Sequence, residues 1–266
     1  MAMTRLNCGA HAAGPLPPSN AAWVVEVGGW IAFGLVAAFL LYRWRKNGRP
    51  DTAALLFIGC FTMWWQEFYA DWGAYLYYNP DLALLPWGQT PYTTPNKPVY
   101  VLAGYGWFYA GGFAAVLALF RWFRRRYSSV NYIAALLITV FVPFILWNFV
   151  TADGVSYVTN WFQYLESIGP TIHTDKGGLQ LIYQGVPLAI FAVAVVAILD
   201  RRDATGRTWF ERALGVRPAI TGWGQRAHQI VAWIVAMNAL YAVFLTLPLV
   251  IARILFFPDN PWVPNP

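Results

Sequence analysis

A chain of 266 residues that is 58% hydrophobic and only 11% charged lies far from a soluble domain, where about a quarter of the residues carry charge. The net charge of +6 is held in short basic clusters at the ends of apolar blocks. That is a topology signal, and it argues against a groove that tracks nucleic-acid phosphates. Cys8 lies in a polar lead-in and Cys60 in an apolar block, so neither a disulfide framework nor a Cys/His metal site is expected.

A bilayer core about 30 Å thick takes roughly 20 apolar residues of helix to cross. In chain order the sequence offers six such segments, and the expected fold is all-α: a polytopic membrane helical bundle. Residues 1–21 form an N-terminal tail, without the layout of a cleavable signal peptide. The first span covers 22–42 and is stopped by Arg43, Arg45, Lys46 and Arg49. The second covers 52–75 and is followed by a Pro- and Tyr-rich loop from Asn79 to Pro98. The third, 99–120, ends in Arg121, Arg124, Arg125 and Arg126. The fourth covers 132–150, and a polar loop from Thr151 to Gly178 leaves room for a short helix. The fifth covers 179–199, a basic loop follows, and the sixth covers 230–257 before a tail over 258–266. Pro143, Pro187 and Pro248 lie within spans and predict kinks. No repeat links the first three spans to the last three, against an inverted-repeat transporter.

Of the 18 basic residues, all but Arg5, Lys97, Lys176 and Arg253 fall in the loops after the first, third and fifth spans. Basic loops stay cytoplasmic, so both termini are expected outside.

Ionisable groups within a span mark functional sites by default. Glu26 lies in the first span, Glu67 and Asp71 in the second, Asn148 in the fourth, Gln184 in the fifth and Asn238 in the sixth. At about 1.5 Å per residue, Glu67, Asn148, Gln184 and Glu26 reach one layer in the outer half of the bilayer, with Asp71 just above. Glu67 and Asp71 are four apart and share a helix face. Two carboxyls so placed near a low-dielectric boundary do not both ionise easily, and the one that keeps its proton can act as a general acid. Trp64, Trp65 and Tyr69 nearby offer aromatic walls for an apolar substrate and a developing cation; an interfacial aromatic belt is the competing account of such residues. In the outer loop, one histidine, His173, with scattered acids is weak metal evidence, and no metal or organic cofactor is expected.

The run Trp65-Gln66-Glu67, then Tyr77-Tyr78-Asn79 and Pro86-Trp87-Gly88, resembles the AveC-type spirocyclase family of bacterial membrane proteins. Trp147-Asn148-Phe149-Val150, Ile182-Tyr183-Gln184-Gly185 and Gly206-Arg207-Thr208-Trp209-Phe210-Glu211-Arg212 extend the resemblance from about Asp51 to Ala213. It implies a bacterial inner-membrane protein that cyclises or dehydrates a hydrophobic hydroxylated substrate, such as a polyketide, terpenoid or lipid. It puts Glu67 at an acidic position of the family pattern. It also implies acidic residues where this chain has the amides Asn148 and Gln184, with Asp153 following as another carboxyl.

Two readings stay open. In one, Glu67 is the general acid, Asp71 and Asp153 are further catalytic carboxyls, and Trp64, Trp65, Tyr69, Asn148, Gln184 and Glu26 bind a hydrophobic small molecule. In the other, the chain is a non-catalytic subunit that binds membrane lipids or packs against other membrane proteins. Neither involves nucleic acid.

Overall fold

The computed structural model describes residues 16–19, 21–166, 168–175 and 178–265; Arg5, Cys8 and Lys176 lie outside these. The fold is mostly helical. Helix α1 (Ala22–Asn47) ends at Gly48, whose φ of 68° supplies the left-handed cap, and its Arg43 pairs with Asp51 at 2.6 Å. Asp51 then caps α2 (Thr52–Phe61) by accepting from the Ala54 amide. Helix α3 (Trp64–Gly73) follows. The long helices α4 (Tyr100–Arg126) and α5 (Tyr132–Thr159) come next, then α6 (Gly185–Asp200), the short α7 (Trp209–Ala213) and α8 (Trp223–Phe256).

Among the described residues four helices, α1, α4, α5 and α8, are long and apolar enough to cross a membrane, whereas α2 and α6 are shorter apolar helices. The expected second span is therefore two helices with a break at Thr62 and Met63. The break is held by side chains: Asn238 Nδ2 donates to Thr62 Oγ1 at 2.9 Å, and Gln66 Nε2 donates to Asn238 Oδ1 at 2.9 Å. Asn238 thus serves packing, as polar groups between membrane helices commonly do.

Helix α5 runs nine residues beyond the expected end of its span, through Thr159, and takes up the start of the presumed loop. The fifth helix begins only at Gly185, because Leu179 lies in a strand. Pro187 falls in the first turn of α6, where a missing N–H breaks no helical bond, so no kink is required. Pro143 and Pro248 each follow a π-helical turn, Leu137–Phe141 and Ala242–Thr246, inside helices that continue past them. A wider turn is one way a helix absorbs a proline.

The fold also holds a small sheet, which the all-α expectation lacked. Strands β1 (Leu76–Tyr78), β2 (Phe162–Tyr164), β3 (Ile172–His173) and β4 (Gly178–Leu179) pair antiparallel in the order β1-β2-β4-β3. At two or three residues each, none is long enough to show the alternation that betrays a strand in sequence. The sheet caps one end of the bundle, together with both terminal stretches. Leu16 and Val263 are buried with Trp72, Tyr77 and Leu165. Asn79 Nδ2 donates to the carbonyls of Pro17 and Asn160, each at 2.8 Å, and Trp72 Nε1 donates to the Pro264 carbonyl at 2.9 Å.

Arg253, one of the four basic residues outside the basic loops, is fully buried under this cap. Its guanidinium donates to the carbonyls of Trp72 and Val263 and stacks over the Trp72 and Tyr75 rings at 4.0 and 3.9 Å. Its planar fork suits this combination of donation and stacking. Lys97 is buried too, donating to the Gly88 carbonyl at 2.7 Å.

Candidate active site

Beneath the sheet lies a cavity of about 370 Å³, within the range that holds a small organic ligand. Glu67 and Asp71, Asn148, and Gln184 all line it. They come from α3, from α5 and from the turn before α6. Three of the four polar groups expected at one depth therefore meet here, together with Asp71 from just above, whereas Glu26 does not join them.

The break before α3 sets this geometry. It starts a new helix at Trp64, so Glu67 falls in the first turn and Asp71 one turn later, and both carboxyls face the cavity. Glu67 Oε2 accepts from the hydroxyls of Tyr105 and Tyr241, which also bond each other. Asp71 is buried, and its Oδ2 accepts from Tyr78 Oη at 2.8 Å. Tyr105 opens the π-helical turn Tyr105–Tyr109 in the middle of α4, a distortion frequent at functional sites. Opposite, Asn148 Nδ2 donates to Gln184 Oε1 at 3.1 Å. The two amides occupy each other and leave Asn148 Oδ1 and Gln184 Nε2 as the groups able to meet a ligand.

The other expected site residues lie elsewhere. Asp153 is buried behind the cavity wall, with Tyr164 Oη at 3.4 Å from Oδ1 and no partner for Oδ2 among the described residues; Tyr164 itself lines the cavity. Glu26 accepts from the Ala83 amide and so pins the loop after β1 to α1. Trp64 packs on Trp87 with ring centroids 5.2 Å apart. Trp65 is exposed, edge-on to Tyr69. None of these five residues lines the cavity.

The walls are nonetheless aromatic, built from residues the sequence reading passed over: Tyr100, Tyr105, Trp107, Phe108, Tyr109, Trp147 and Phe162. Tyr105 and Tyr241 were missed as partners of Glu67, and Tyr78 was read as an aromatic neighbour and part of a family motif but not as the partner of Asp71. Applying the depth count to tyrosines as well as to acids and amides would have found Tyr105 and Tyr241, which sit well inside their apolar blocks. Ser156 lines the cavity too, and its buried hydroxyl has no partner among the described residues. Two carboxyls held by phenols, facing an apolar aromatic chamber, can hand a proton to a bound oxygen and take one back. The described residues include no cluster able to hold a metal ion.

The segments that carried the family resemblance find places in this architecture. Tyr78 holds Asp71, Asn79 ties the cap, and Trp87 packs on Trp64. Gly206 to Arg212 form a turn and a helix start, where Thr208 and Glu211 make a reciprocal capping box. No curated protein and no solved structure matches the chain. The sequence pattern described as "Spirocyclase AveC-like" matches residues 47–264, from the end of α1 through the C-terminal cap, and the chain accordingly belongs to the AveC-like spirocyclase family.

Proposed function

We propose that the protein is an intramembrane cyclase or dehydratase that works by acid catalysis on a hydrophobic, hydroxylated substrate. The observation that carries this reading is that Glu67 and Asp71 face one aromatic-walled cavity from a single helix face. Family membership supports a cyclase-type role.

For a dihydroxyketone the steps balance as follows. One hydroxyl adds to the ketone and forms a hemiketal. Glu67 gives its proton to the hemiketal oxygen, which leaves as water. The resulting oxocarbenium is favoured by the electron-rich faces of the surrounding rings. The second hydroxyl attacks that carbon, and its proton passes by way of Asp71 to the Glu67 carboxylate. Asn148 and Gln184 orient the substrate oxygens, and Asp153 acts on them through Tyr164. Tyr105 and Tyr241 hold the Glu67 carboxyl in position throughout.

The test uses the purified protein in vesicles with a lipophilic dihydroxyketone. Its readouts are loss of one water by mass spectrometry and the handedness of the spiroketal. A single enantiomer is expected from the native chain. Glu67→Gln should reduce the enzymatic rate at least about a hundredfold, the usual share of a positioned general acid. Racemic product at the uncatalysed rate from the native chain would sink the proposal for this substrate class, and an unchanged rate in Glu67→Gln would remove Glu67 from its role.

The membrane arrangement belongs to the same proposal. Six helical segments cross a bacterial inner membrane, with α2–α3 and α6 completing the four long helices, and both termini lie outside. A second reading, a non-catalytic subunit, is favoured by one feature. Only 11% of the most apolar stretch of α1 is buried, a flank that lipid or a partner subunit would cover.

A further inference from the structure

The cavity is not closed all round. On one side β1 and β2 roof it with Tyr78, Phe162 and Tyr164. Of its lining residues only Trp147 and Val155, both on α5, are strongly exposed, at 45% and 38%. The way out therefore lies beside α5. The opposite rim is α1, which contributes Val25 and Gly29. Helix α1 packs on α4 and α2, whereas α5 packs on α4 and α6. The two rims thus flank a cleft whose floor is the α4 face bearing Gly104, Trp107 and Phe108.

Both sides of the cleft merge into apolar outer surface. Val27, Trp30 and Ile31 are exposed on α1, and Val150 and Val158 on α5. Among the described residues no charged side chain lines the cleft between the rims, whereas Glu67 and Asp71 stand at its inner end. Two glycines open the passage. A Cβ built at Gly29 or at Gly104 meets no heavy atom within 4 Å, although both residues line the cavity. Their missing side chains leave open space on two helices that pack together.

We propose that the cavity is filled sideways, from within the bilayer, through the cleft between α1 and α5. It then takes a lipid-dissolved molecule whose slender apolar chain lies between Gly29 and Gly104 while its oxygen-bearing end meets Glu67. The proposal rests on the intramembrane reading above and deepens it. Gly29 and Gly104 determine the width of chain the site accepts, and the substrate partitions into the membrane before it reacts.

The test is photolabelling with a hexadecanol carrying a diazirine in its chain. The full-length protein is reconstituted in vesicles of phosphatidylethanolamine and phosphatidylglycerol, and adducts are mapped by peptide mass spectrometry. In the native chain, adducts are expected to concentrate on peptides containing Trp107 and Trp147 over those from the outer face of α8, such as Val243 and Ile251. Gly104→Trp should cut the cleft adducts by roughly tenfold, the effect of about 1.4 kcal/mol of lost affinity, and Gly29→Trp should do the same from the other rim. Equal adduct density on the cleft and on α8 in the native chain overturns the proposal without recourse to any variant. So does labelling that survives both tryptophan substitutions, or a membrane-impermeant sulfonated diazirine that marks the cleft more strongly than the hexadecanol. Concentrated cleft labelling without cyclisation of the dihydroxyketone would overturn the reaction and leave the lateral route standing. Cyclisation with dispersed labelling would do the reverse.

Discussion

Glu67 and Glu211 are two glutamates with opposite assignments. Glu211, in α7, is buried and receives four hydrogen bonds: from the Thr208 amide at 2.7 Å, the Thr208 hydroxyl at 2.9 Å, Gln229 at 2.8 Å and Trp233 at 3.0 Å. Burial pushes its pKa up, but the bonds from Gln229, Thr208 and Trp233 outweigh burial and leave it lowered from the ordinary 4.5. A lowered native pKa means that the ionised form stabilises the fold. That contribution is complete above the unfolded value and is lost as the pH falls through the native one. Glu211→Gln turns one acceptor oxygen into a donor facing donors, and should cost about 1–3 kcal/mol at neutral pH. Urea unfolding in detergent checks it: the gap between native and variant should be widest at neutral pH and should narrow as the pH drops below 4.5.

Glu67, by contrast, has two phenols for partners and an open side toward the cavity. This difference between a finished carboxylate and an unfinished one was legible in sequence only as position. Counting depth along the spans found Glu67, Asp71, Asn148 and Gln184 because polar groups in apolar blocks are rare. Tyrosines escaped because they also populate membrane interfaces. Trp65 and Tyr69 lie off the cavity for a geometric reason. Each is two residues from Glu67, and residues two apart on a helix do not share a face.

At the scale of elements, the closest approach that matters for the site is between α3 and α8. A Cβ at Gly73 would lie 2.7 Å from the Leu249 carbonyl carbon and 2.9 Å from Leu249 Cβ. These backbones touch because the residue at this crossing has no side chain. Gly73→Ala must push the helices apart, at about 1–3 kcal/mol, and the displacement carries the helix that bears Glu67 and Asp71. The variant is expected to melt earlier in a detergent thermal scan and to lose activity at temperatures where it remains folded. An unchanged melting temperature would show that the crossing has slack. The four long apolar helices among the described residues were readable from hydropathy alone. The break at Thr62 and Met63 was not, since neither residue ends a helix by itself. It exists because Asn238, far along the chain, reaches across to hold Thr62 and Gln66. The strands were hidden by their length, and their partners lie up to about a hundred residues away.

For the whole molecule, the proposed orientation has a direct test. With six crossings and both termini outside, alkaline phosphatase fused after Pro266 should be active and green fluorescent protein at the same point dark. The reverse pattern would mean an odd number of crossings, or an inverted bundle. Basic residues argue for the first outcome, and burial of Arg253 and Lys97 removes two of the four exceptions to that bias.

The cap brings Pro17 together with Val263 and Pro264 above the cavity. Asn79 holds the carbonyl of Pro17, Trp72 that of Pro264, and Arg253 that of Val263. During synthesis the four residues that converge on the cavity are complete once Gln184 is made, whereas the segment that buttresses their ceiling arrives some eighty residues later. A nascent chain at that stage has a cavity without a finished lid. The order of translation therefore secures the ceiling only after the cavity's polar residues are all in place, and a ribosome stalled before Val263 would leave that cavity open to water.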